Sequence, residues 1–65
     1  MKVIINGEDR EIAAATVQEL LQELGLNPAG TVVEKNFTIV PPMAYSQTGL
    51  AEGDVLELVR LVGGG

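Results

Sequence analysis

Nothing in this chain can staple it: there is no cysteine for a disulfide and no cysteine or histidine for a soft metal site. The chain is also short, at 65 residues. A domain of that size buries only about 60% of the surface its extended chain exposes, so its stability is narrow. It must rest on a single core, and 46% hydrophobic residues can supply one. Phe37 and Tyr45 are the only aromatics, so that core is expected to be aliphatic.

The same composition removes whole classes of function. Without imidazole or thiol there is no nucleophilic triad for Ser46 to join. The paired acids Glu8-Asp9 and Glu52/Asp54 sit beside turn glycines, where exposed carboxylates are commonplace and the shielding that acid–base work needs is missing. No catalytic and no metal-ligating residue is expected. Nine acids against four bases leave a net charge of −5, which disfavours nucleic acid and anionic membranes and suits a partner with a basic docking site. No apolar run approaches the roughly 18 residues of a membrane span. The opening Met1–Gly7 is too short for a secretory signal, and a cytoplasmic location is expected.

Local patterns give the element order. Met1 to Asn6 alternates and is β-branched, so it reads as a strand. Asn6-Gly7 is the strongest short hairpin signal, and Glu8 to Ile12 returns. Thr16 and Glu19 form a capping box ahead of Val17, Leu20, Leu21 and Leu24 at helical spacing. Gly25 stops that helix and Pro28 prevents its resumption. Thr31–Glu34 and Thr38–Val40 read as strands joined at Lys35-Asn36-Phe37 and closed by Pro41-Pro42. Met43–Gln47 reads as a short helical turn, and Val55–Val62 as the last strand. The order ββαβββ fits an α+β fold of the ubiquitin-like β-grasp type, a mixed sheet of about five strands with one main helix on one face. The first strand is expected to pair with the last at the sheet centre. Val3, Ile5, Leu56 and Leu58 should then face Leu20, Leu21 and Leu24. The same parity leaves Ile4, Val59 and Leu61 on the outer face as a candidate partner-binding patch, with Val62 beside them.

The chain finishes on Gly63-Gly64-Gly65. Residues 1–62 are expected to form the domain and 63–65 a flexible tail. Glycine has no Cβ, so such a thread can enter a channel closed to ordinary side chains. At its tip, Gly65 would present an unhindered backbone carboxylate. A glycine run is also what a linker stub or frayed end looks like.

Several stretches together resemble the sulfur carrier proteins of thiamine biosynthesis, the ThiS family. They are Val3-Ile4-Ile5-Asn6-Gly7, Thr16-Val17-Gln18-Glu19-Leu20-Leu21, Val33-Glu34-Lys35-Asn36 with Ile39-Val40-Pro41, Leu50-Ala51-Glu52-Gly53-Asp54 before Glu57, and Val62-Gly63-Gly64-Gly65. Phe37 stands where that family often has a small residue, and Pro42 where a charged one is common. The resemblance implies a protein substrate rather than an enzyme, one that itself binds no cofactor. A ThiF-like adenylyltransferase, resembling the ubiquitin-activating enzyme, would use ATP and Mg to adenylate the Gly65 carboxylate. A cysteine desulfurase or rhodanese-like donor would supply sulfur, carried as a thiocarboxylate. A ThiG-like thiazole synthase would take it, with Gly63 and Gly64 giving access. The small subunit of molybdopterin synthase, a ubiquitin-like modifier of lysines and a plain binding module are the alternatives.

Overall fold

In the computed structural model, residues 1–61 are described, and the two hairpins are set by two asparagines. Asn6 and Gly7 take φ of 49° and 83°, the positive values a type I′ turn demands, and join strand β1 (Lys2–Ile5) to β2 (Glu8–Glu11). Asn36 and Phe37 do the same at 51° and 70°, joining β3 (Thr31–Lys35) to β4 (Thr38–Val40). The first turn has the glycine this geometry favours. The second has a phenylalanine there.

Helix α1 (Val17–Glu23) lies between the hairpins. Thr16 caps it, its hydroxyl accepting from the Glu19 N–H at 3.1 Å. The Glu19 carboxylate reaches back to the N–H of Ala15, one residue earlier than a simple capping box places it. Glu23 accepts from the N–H groups of Ala13 and Ala14. The two glutamates thus accept the N–H groups of Ala13, Ala14 and Ala15 in the connection from β2. Gly25, at φ 72°, ends the helix as expected.

The last strand, β5 (Val55–Arg60), closes a five-stranded sheet of order β2-β1-β5-β3-β4. It runs parallel to β1 and antiparallel to β3, giving the expected β-grasp with the first and last strands at the centre. The strand stops at Arg60, short of the Val62 expected. Pro41 and Pro42 end β4 and lead into a 3-10 helix over Pro42–Gln47, and a shorter one covers Pro28–Gly30.

Val3, Ile5, Leu56 and Leu58 are buried with Leu20 and Leu21, and Leu24 packs at the margin. Ile12, Ala14, Val17, Val33, Val40 and Tyr45 complete the core. The expectation of a wholly aliphatic core is corrected at Tyr45, which is 2% exposed. Its ring fills the interior beneath the 3-10 helix, and its hydroxyl donates to the Thr31 carbonyl at 2.7 Å. Phe37, the other aromatic, is 81% exposed.

Tyr45→Phe should lower stability by about 1 kcal/mol, the usual net worth of one hydrogen bond, read as a drop in melting temperature. Burial raises the Tyr45 pKa above its ordinary 10.0. The unfolded chain therefore loses this proton first, and stability should fall as pH climbs past that value in the native protein but not in the variant. Phe37→Gly should act oppositely. It relieves the left-handed strain of a bulky residue, and a gain of about 1 kcal/mol is expected in chemical denaturation.

Candidate functional site

The C-terminal segment leaves the domain from the most constrained strand. β5 is hydrogen-bonded on both edges, from Ile4↔Val55 on one side to Thr31↔Arg60 on the other. Two turn asparagines add side-chain bonds. The Asn6 amide receives the Leu58 N–H at 2.9 Å and donates to the Leu58 carbonyl at 3.1 Å, so it acts as one more residue of β1. The Asn36 oxygen accepts the Val55 N–H at 2.9 Å. One residue past the strand, the Leu61 N–H still donates to the Gly30 carbonyl at 2.8 Å. Val62, Gly63, Gly64 and Gly65, all singled out in the sequence, lie outside the described residues. Leu61, the last described residue, is tied to the domain by that bond.

Residues paired across strands share a face, and this register locates the expected partner-binding residues. Ile4 is half-buried, while Val59 is 55% and Leu61 62% exposed. They do not form one cluster. Ile4 pairs with Val55, and Val59 with Val32. Between those rows Glu57 stands directly opposite Glu34, with Ile39 next to Glu34. Like charges so placed repel. The outer face is therefore two aliphatic strips separated by a pair of carboxylates. Leu61 lies beyond the strand and borders a groove of 410 Å³ with Leu24, Leu26, Gly30 and Arg60. Val32, Glu34 and Ile39 belong to this face, and their place depends on a register that no local pattern encodes.

Of the paired acids, Glu52 and Asp54 have structural tasks. Asp54 is buried, accepting from the Ala51 N–H and the Asn36 amide. Glu52 accepts from the Lys2 N–H at 3.1 Å. Glu8 and Asp9 are exposed on the edge strand β2. Among the described residues no group of three or more His, Cys, Asp or Glu could hold a metal ion, and no helix is long and apolar enough to cross a membrane.

With this geometry in view, residues 3–65 match the model of the ThiS family. The chain belongs to the ThiS family. Sulfur carrier protein ThiS of Thermus thermophilus is 35% identical over 63 residues, covering 97% of this chain and 98% of that protein. The crystal structure of the thiamine biosynthesis protein ThiS from Geobacter metallireducens superposes with a TM-score of 0.83 at 29% identity, covering all of both chains. A thiazole synthase of Paramagnetospirillum magneticum is 47% identical over 66 residues. The chain spans 20% of that relative's length. The family match extends through Gly65, the last of the three glycines.

If the Asn6 amide fixes the outgoing half of β5, Asn6→Gly should reveal it, because glycine keeps the positive φ and removes only the side-chain bonds. We expect a loss of about 1–2 kcal/mol and faster amide exchange at Leu58. Unchanged protection of Leu58 would show that the clamp is dispensable.

Proposed function

We infer that this protein is a sulfur carrier of thiamine biosynthesis, and that its reactive group is the Gly65 carboxylate. The observation carrying this reading is the family match, which runs through the β-grasp domain into the terminal glycines. The support from relatives is consistent in direction. The full-length ones are named as ThiS sulfur carriers, and the longer ones as thiazole synthases. This weighs for the thiamine pathway over the molybdopterin, lysine-modifying and plain-binding alternatives.

The chemistry follows from the inertness of a carboxylate. Its pKa is near 3.5, so at neutral pH it is an anion that resists nucleophiles. In the proposed first step a carboxylate oxygen of Gly65 attacks the α-phosphorus of ATP. A C–O–P linkage forms and pyrophosphate departs, with the activating enzyme and its magnesium ion balancing the phosphate charge. A sulfur nucleophile then attacks the carbonyl carbon and AMP leaves, so one oxygen is exchanged for sulfur. Thiazole synthase receives the sulfur. The domain supplies no acid or base to these steps. It supplies a rigid vector at Leu61 and three residues without side chains beyond Val62. The outer face, with Val59 and Val32 flanking Glu57 and Glu34, suits a partner that offers aliphatic contact and a basic side chain.

Incubation with ATP, magnesium, sulfide and the cognate activating enzyme should raise the intact mass by about 16 Da, a change that no thiol of this chain could mimic. Gly64→Val and Gly65→Ala should abolish ATP–pyrophosphate exchange while leaving the thermal melt unchanged, because a Cβ obstructs a channel shaped for bare backbone. Exchange at the native rate in both variants would refute the assignment of Gly65 as the reacting residue.

A further inference from the structure

Phe37 is strained and gives the fold nothing in return. Asn6, Gly7, Gly25, Asn36 and Gly53 also take positive φ, and all are residue types that tolerate it. Phe37 at φ 70° is not, and its ring is 81% exposed. Strain of this kind persists where the residue serves something besides packing. Its surroundings share one character. Ile39 is 63% and Met43 87% exposed, so three of the large hydrophobics most open to solvent fall within residues 37–43. From Asn36 to Ala51 there is no charged residue, in a chain that is 20% charged overall. Charge depletion with exposed aromatic and methionine side chains is the composition of an interface core.

We propose that the β3–β4 turn and the segment behind it form a docking surface for thiazole synthase, with Phe37 entering an uncharged apolar pocket of that enzyme. This rests on the sulfur-carrier reading. A second copy of the chain is a poor occupant, because each copy brings a net charge of −5 and the long-range repulsion opposes pairing. Two thiazole synthases, from Paramagnetospirillum magneticum and Magnetococcus marinus, contain a region resembling this entire chain within a single polypeptide, which argues that a region of this kind and the synthase work in direct contact. The position also fits. Lys35 pairs with Leu56 near the turn and Thr31 with Arg60 at the other end, so Phe37 and the root of the tail lie at opposite ends of the strands. An enzyme gripping the turn leaves the route from Leu61 unobstructed.

The experiment compares the native chain with Phe37→Gly and Met43→Ser by calorimetric titration against thiazole synthase and against the activating enzyme. Thermal melts, sedimentation and adenylation are measured on the same samples. For Phe37→Gly, the dissociation constant for thiazole synthase should rise about tenfold or more, as for the loss of an aromatic anchor. Its melting temperature should meanwhile rise by about 4 °C, and adenylation should match the native chain. Weaker binding by a better-folded protein excludes unfolding as the cause. Met43→Ser should weaken binding less. Unchanged affinity for thiazole synthase, a loss confined to the activating enzyme, or disruption of a self-associated form would each overturn the proposal. So would a native chain that is adenylated yet does not bind thiazole synthase. A native chain that is not adenylated at all instead defeats the sulfur-carrier reading on which the proposal stands.

Discussion

The placement of β5 between two strands is the constraint from which the rest of the structure follows. A central strand has both rows of backbone hydrogen bonds satisfied by neighbours, here β1 on one side and β3 on the other. That arrangement brings the two ends of the chain together in one sheet and makes the helix a crossover rather than an appendage. It also buries Leu56 and Leu58 under Leu20 and Leu21, the centre of a core with no disulfide to support it. Because the strand is clamped along its length, by Asn36 at Val55 and by Asn6 at Leu58, the segment beyond Arg60 departs from a rigid frame.

The two hairpins form an internal comparison. Both have asparagine at the first central position with positive φ, and both asparagines use their amides to tie the turn to β5. They differ at the second position, glycine in one and phenylalanine in the other. Gly7 follows the local rule and its turn needs no further account. Phe37 breaks the rule, with no burial to offset the strain. Agreement between local preference and global fold is the normal condition of a sequence that specifies one structure, and isolated disagreement concentrates where function intervenes.

Charge is distributed in a similarly divided way. Several acids serve the backbone: Glu19 and Glu23 secure the entry to α1, Asp54 holds the turn before β5, and Glu52 reaches β1. Glu34 and Glu57 face each other on the outer sheet, whereas the region from Asn36 to Ala51 has no charge at all. The molecule therefore presents an acidic, partly aliphatic sheet face and an uncharged, apolar turn region. These surfaces suit partners of different character.

Much of this was legible in the residues because it is governed by short-range physics. Asn6-Gly7, the Thr16 cap, the helical spacing of Val17, Leu20 and Leu21, the stop at Gly25 and the proline break at Pro41-Pro42 depend on neighbours a few positions away. The alternation in β1 and β5 likewise assigned Val3, Ile5, Leu56 and Leu58 to the core. What escaped depends on contacts between distant segments. No local pattern says that Tyr45 closes the core by bonding to Thr31, that Glu23 folds back onto Ala13 and Ala14, or that β5 ends at Arg60. Nor does any say that Glu34 and Glu57 separate Ile4 from Val59, because that depends on strand register. By itself the sequence determined the elements, their order and the family, since turn chemistry and hydrophobic period act over a few residues. Only the tertiary structure decided which side chains share a surface, because that is fixed by how strands far apart in the chain are brought into register around one core.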